Sequence, residues 1–231
     1  MVDQTGGMGD GQGRVQRRSG TVSELHSIDP ATLVAPGVVA VFQMLPTDSA
    51  LVLGSTQPAE TIDADAVASA GLWLVRRLSG GGAVAVVPAE MLWVDVVSSP
   101  DAPGWTDDVD AAAREVGQRF VEALVDLGVP RARLGVHRGA PVRRAAGRIV
   151  CFAGLGSGEV TLDGQKLVGL SQRRGRWGAR VQCLVHVRFD PDRWWPAIRW
   201  GEVPEPALEV AVLPSFVEPS ELAARLSALG S

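Results

Sequence analysis

What the chain has little of narrows its class first. Neither sign of charge dominates: 22 basic against 26 acidic residues leave a net charge of −4, which gives no sign of bulk nucleic-acid binding. Long apolar runs are missing too. The longest, from Gly82 to Val97, is cut by Pro88, Glu90 and Asp95, short of the roughly 18 uninterrupted residues a membrane helix needs, so no membrane association is expected. Cysteine is limited to Cys151 and Cys183, and both are expected as free thiols in a reducing cytoplasm. The N-terminal twenty residues, "MVDQTGGMGDGQGRVQRRSG", are too polar and glycine-rich for a signal peptide or a core, so residues 1–20 are expected to form a disordered tail. Asparagine is absent, and lysine occurs once, as Lys166 among arginines.

What is present describes one globular domain, residues 21–231, with 46% hydrophobic residues and no internal repeat. "GVVAVF", "ALVLGS", "LWLVRR", "GAVAVV" and "MLWVDVVSS" are short, β-branched or aromatic, and bounded by turn residues, the pattern of strands. "DADAVASA" reads as a short helix. A longer one opens at "TDDVD", where Thr106 or Asp107 can cap, and puts Val109, Ala113, Val116, Phe120, Leu124 and Leu127 on one face before Gly128 and Pro130 end it. "EVTLDGQKLVGLSQ" is expected to be a hairpin turning at Asp163-Gly164, and "ARVQCLVHVRFD" the strand after it. A last helix after Pro219 faces Leu222, Leu226 and Leu229 inward. The class is α+β: a mostly antiparallel mixed sheet flanked by helices.

Three stretches carry candidate chemistry. In "RRLSGGGAV" (76–84), three glycines let backbone approach a ligand, and Arg76 or Arg77 could meet a carboxylate or phosphate; the same run reads equally as a flexible hairpin. Lys166 is a compact cation with a tunable proton where every other basic residue is a planar guanidinium that keeps its own, although an arginine-rich composition must leave its last lysine somewhere. Cys151, in "GRIVCFAGLGSGEV", reads by itself as a packed residue; beside a fixed ammonium a thiol is a better nucleophile. His186 and Cys183 read as core residues, and the seven tryptophans, Trp194-Trp195 among them, as packing or as the lining of an acyl tunnel. The arginines of "RRGRWGAR" (173–180) read as a charged strand end or as a surface for an acidic carrier.

Taken together, "RRLSGGGAV" and "DGQKLVGLSQRR" resemble the lipoate-protein ligase and octanoyltransferase superfamily, with its Arg-Arg-x-Ser-Gly-Gly-Gly-Ala-Val loop and Gly-x-Lys-hydrophobic-x-Gly strand. The similarity runs from about Leu51, in "LVLGSTQ", to Asp190. It implies the fold shared with biotin-protein ligases, a tunnel for a medium-chain acyl group, and delivery of that group to a lysine of a lipoyl-carrier domain. Lys166 matches the family's active-site lysine; Arg76, Arg77, Ser79, Gly80, Gly81, Gly82, Ala83 and Gly169 match its substrate-binding positions.

The superfamily divides in chemistry. Its adenylating ligases use ATP and magnesium and carry an Asn-Asp pair before the lysine strand, where this chain has Gly158-Glu159. Its cysteine-dependent octanoyltransferases carry a Cys-Phe pair, and "CFAGLGSGEVTLDGQK" is similar to that arrangement. This resemblance implies Cys151 as nucleophile and Lys166 as the group stabilising thiolate and acyl oxygen, with no metal and no cofactor. Acyl carrier protein would be the donor, and the glycine cleavage H protein or a 2-oxoacid dehydrogenase E2 the acceptor. The alternatives are an ATP-dependent ligase and a non-catalytic relative that only binds carrier domains. Relatives often have a His-Gly after the lysine strand, where this chain reads "VQCLVH".

Overall fold

The computed structural model describes residues 15–140, 142, 145–206 and 208–228. Its larger sheet has seven strands in the order β1 (Gln16–Gly20), β2 (Val39–Pro46), β6 (Met91–Ser98), β10 (Gly178–His186), β9 (Gln165–Gly175), β8 (Val160–Leu162) and β7 (Leu134–Val136). Neighbours are antiparallel except β1 and β2. A second sheet, of three strands, runs β4 (Trp73–Arg76), β3 (Ala50–Leu53), β5 (Val84–Val86), with β3 and β4 parallel. The expected α+β class and mostly antiparallel pairing hold; the division into two sheets was not foreseen.

Alternation along the strands sorts residues between two faces of the large sheet. On β6, Leu92, Val94 and Val96 join a core with α3 (Val109–Asp126) and α4 (Pro219–Ala228), while Met91, Trp93 and Val97 turn toward the small sheet and α1 (Val22–Ser27). Ala113, Val116, Phe120 and Leu124 are the buried stripe of α3, as their spacing predicts, whereas Val109, at its first position, is exposed. The cap is Asp108, accepting from the amides of Asp110 and Ala111, one residue beyond the expected pair. Thr106 instead accepts from the amide of Asp108 and braces the capping residue. Gly128, at φ 92°, turns the chain out of the helix. α2 (Ala64–Ser69) is capped by Asp63.

Two expectations need correction. Residues 16–20 are not tail: β1 pairs in register with Phe42 to Pro46, because backbone polar groups at a sheet edge gain partners whatever the side chains. Residues 1–14 and Leu229 lie outside the described residues. Arg180 is not a surface charge either. It is buried on β10, diagonally across from Asp95 on the adjacent strand β6, and the pair is joined at 2.6 Å by Nε and 2.5 Å by Nη2.

Asp163-Gly164 makes the turn between β8 and β9, with φ of 52° and 83°, the left-handed pair that a two-residue primed turn requires. Lys166 therefore begins just after a rigid corner.

Candidate active site

The glycine loop and the cysteine segment are built onto one another. Ala83 donates to the carbonyl of Ile149 at 2.7 Å and its own carbonyl accepts from Cys151 at 2.8 Å. A Cβ on Gly82 would lie 2.8 Å from the backbone of Ile149 and Val150, and one on Gly54 1.9 Å from the carbonyl oxygen of Gly81. Only glycine allows these approaches. Gln57, buried, donates to the carbonyl of Ile149 and ties the end of "LVLGSTQ" to the same segment.

Cys151 opens a short 3-10 turn, Cys151–Ala153. Lys166, also buried, reaches it from the start of β9: Nζ lies 3.9 Å from Cys151 Sγ and donates to the carbonyls of Cys151 at 3.1 Å and Gly154 at 3.2 Å. Its ion-pair partner is Glu159, at 2.7 Å, with both side chains only 5% exposed. Glu159 is in turn fixed by the amides of Gly156 and Leu170. The lysine also lies over the ring of Phe152, 4.7 Å from its centroid. Gly169 makes room for this stack, since a Cβ there would touch the Phe152 ring at 3.0 Å and Lys166 Cε at 3.3 Å.

Burial works against the ammonium, but the Cys151 sulfur and the Glu159 carboxylate beside it outweigh burial and hold Lys166 above the ordinary lysine value; Arg77 opposes them. The site thus keeps a fixed cation beside the sulfur.

Cys151 stands where two spaces meet. One is an open cleft lined by Gly80, Gly81, Gly82, Arg148, Glu159 and Lys166. The other is an apolar pocket of about 420 Å³, including its mouth, that runs between the two sheets past Phe152, Gly169, Trp93, Val84 and Leu184. One space is wide and open, the other narrow and apolar.

The remaining sequence candidates divide. Arg76 donates to the carbonyls of Gly54, Ser55 and Gln57, and buried Arg77 to those of Val52, Gly80 and Gly82, so both guanidiniums hold the loop's backbone. Ser79 is buried and bonded to Ser171 and Gln182. Ala83 is buried in the core. His186 packs edge-on between Phe152 and Phe189, and burial followed by the Lys166 charge lowers it to about 4, keeping it neutral. Cys183 is buried and its thiol pushed well up by burial, then by Asp95. Trp194 and Trp195 stack within an aromatic cluster, and Trp93, not this pair, walls the apolar pocket. Arg174 lies on the ring of Trp105. Sequence reasoning missed Glu159 as the lysine's partner, although a carboxylate at the Gly158-Glu159 position was in view. Among the described residues no group of His, Cys, Asp or Glu could hold a metal, and no helix is long and apolar enough to cross a membrane.

An octanoyltransferase LipM of Kyrpidia tusciae is 27% identical over 145 residues, 60% of this chain and 50% of the relative. One of Moorella thermoacetica is 32% identical over 113 residues, 49% of this chain and 40% of the relative. The chain thus spans about half the length of the curated relatives it matches. A lipoate-protein ligase A solved with ATP bound superposes with a TM-score of 0.68 at 20% identity, covering 93% of this chain and 82% of that one; at that identity the likeness is one of fold. The family model that describes the lipoyl protein ligase A/B catalytic domain matches residues 35–202, and the chain belongs to that family.

Proposed function

We propose that this protein is an acyltransferase of protein lipoylation that carries an octanoyl or lipoyl group on Cys151. The observation that carries the reading is the placement of the Cys151 thiol 3.9 Å from the Lys166 ammonium, at the junction of the apolar pocket and the open cleft. The pocket takes the acyl chain; the cleft admits first the donor's arm and then the acceptor's lysine. The Cys151 thiolate attacks the thioester carbonyl, and the tetrahedral intermediate collapses as the carbon–sulfur bond to the donor breaks, releasing the donor thiol after it takes a proton. The acceptor amine then attacks the acyl-cysteine, loses a proton and expels the Cys151 thiolate.

Lys166 serves both halves by stabilising charge on sulfur and on the acyl oxygen as it becomes negative. Glu159 is its positioning residue: with both charges buried, the carboxylate keeps the ammonium protonated and aimed. Gly80, Gly81 and Gly82 line the acyl-transfer cleft, and Gly169 leaves room beside the reacting carbonyl. An acyl carrier protein is the donor, and a lipoyl-carrier domain of the glycine cleavage H protein or a 2-oxoacid dehydrogenase E2 the acceptor. A thioester is already activated, so ATP, magnesium and other cofactors are not needed. A reducing cytoplasm, which keeps both cysteines as free thiols, suits this chemistry.

A ligase reading, with ATP and magnesium, draws on the fold shared with the ATP-bound ligase and on the width of the cleft. Against it stands Gly158-Glu159, whose carboxylate is engaged by Lys166. The deciding experiment incubates the protein and a lipoyl domain with octanoyl carrier protein alone, or with octanoate plus ATP and magnesium. Acylation in the first mixture is expected; acylation confined to the second, with pyrophosphate released, would make the protein a ligase.

A further inference from the structure

The apolar pocket is not uniformly apolar. His26, on α1, lines it, and its Nε2 is shut away from solvent with no hydrogen-bond partner among the described residues. The other ring nitrogen is engaged: Gln182 Nε2 lies 3.2 Å from His26 Nδ1. The direction of this bond can be traced from its far end. Ser79 Oγ donates to Gln182 Oε1 at 3.3 Å. Having one hydroxyl hydrogen, Ser79 must accept from Ser171 Oγ, 2.9 Å away. With its oxygen accepting, Gln182 presents an N–H to His26, so Nδ1 is the acceptor and the ring hydrogen sits on Nε2.

The imidazole is neutral as well as oriented. Burial, then the positive charges of Arg180 and Arg77, lower His26 to about 3. Arg180 also donates to the carbonyls of Leu25 and Ile28, which fixes the end of α1 that carries the ring, and the ring lies against Trp93 at 4.5 Å between centroids. A four-residue relay from the glycine loop thus ends in one buried, rigidly held, unsatisfied donor. Such groups are rare and expensive unless something binds them.

We propose that His26 is a specificity-determining residue, whose Nε2–H hydrogen-bonds an acceptor atom on the distal part of the acyl chain. This rests on the reading of the pocket as the acyl site. Ser171 lies two residues past Gly169 on β9, about 7 Å along the strand, so the Ser171–Gln182–His26 array meets a chain well beyond the carbonyl held at Cys151. The ligand class is a medium-chain acyl group with an oxygen or sulfur acceptor near its far end; a plain alkyl chain leaves the donor unmet.

The test measures binding of free acids to the full chain by calorimetric titration, using octanoate and an oxo-octanoate whose ketone is at the penultimate carbon. The wild type is expected to bind the ketone acid at least as tightly as octanoate, despite the water the ketone gives up. His26→Phe keeps the ring and loses the donor, and should shift the affinity ratio toward octanoate by about tenfold, the size of one net hydrogen bond. His26→Leu is the second variant, with circular dichroism confirming the fold of each. A ratio unchanged in both variants, a wild-type preference for octanoate, or no binding of either acid would overturn the proposal. Turnover is not read in this titration, so intact discrimination in a protein that transfers no acyl group would sink the transferase reading alone.

Discussion

The two faces of the large sheet are made from alternate residues of the same strands, yet they do different things. On the face toward α3 and α4, β6 contributes Leu92, Val94 and Val96 and the helices return Phe120, Leu124 and Leu222, a packed aliphatic core. On the face toward the small sheet, the same strand contributes Trp93 and buried Asp95, and its neighbours add Arg180, Gln182, Ser171 and His186. The first face is held by burial of apolar surface. The second buries charges and amides, each of which costs free energy unless paired, and those pairs position α1 and the wall of the apolar pocket. A residue's place in the pleat therefore predicts whether its loss will weaken the fold or the chemistry.

That comparison can be broken in graded ways. Phe120→Ala, on the first face, should cost about 3–5 kcal/mol of stability through the cavity it leaves, while turnover per folded molecule stays near normal; denaturant melts and activity titrated to folded protein check both. Lys166→Arg, on the second, should do the reverse. The fold should survive by circular dichroism while turnover falls about 10²- to 10³-fold, because a planar guanidinium cannot put one donor on both sulfur and acyl oxygen. Alkylation of Cys151 by iodoacetamide should slow too.

His186 tests the second face through pH. Its value of about 4, held down by burial, lies below the 6.5 of an unfolded histidine, so the unfolded chain takes up a proton that the fold refuses. The His186 share of stability should be fully present above about pH 6.5 and fall as pH drops toward 4, by about 2 kcal/mol at pH 5, beside a similar loss from His26, which is held lower still. His186→Phe should flatten that part of a melting-temperature profile. Glu159→Gln is the mildest change: about tenfold in rate, with the alkaline limb of the activity profile moving to lower pH, because Lys166 loses one of the charges that raise it. An unmoved limb would make Glu159 a structural residue only.

The sequence made some of this visible and hid the rest for physical reasons. Lys166 stands out by being the sole lysine, the Asp163-Gly164 turn by its left-handed preference, and the stripe of α3 by its period, since each is a local signal. The glycine run could be found but not interpreted. Its reason, the backbone of Ile149–Val150 lying against it, involves residues far along the chain. Arg180 and His26 were hidden for the same reason, because their burial depends on how α1 and β10 pack, and Arg76 and Arg77 were read as ligand contacts because a guanidinium bonded to backbone carbonyls leaves no mark in sequence. The edge strand β1 sits in a segment whose composition reads as tail.

The central claim is that Cys151 carries the acyl group. Intact mass spectrometry of the protein after brief incubation with octanoyl carrier protein, without ATP and without acceptor, tests it directly. The account predicts a mass gain of one octanoyl group, mapped to Cys151, lost in Cys151→Ala and discharged when a lipoyl domain is added. An adduct that persists in Cys151→Ala, or normal turnover by that variant, would contradict it.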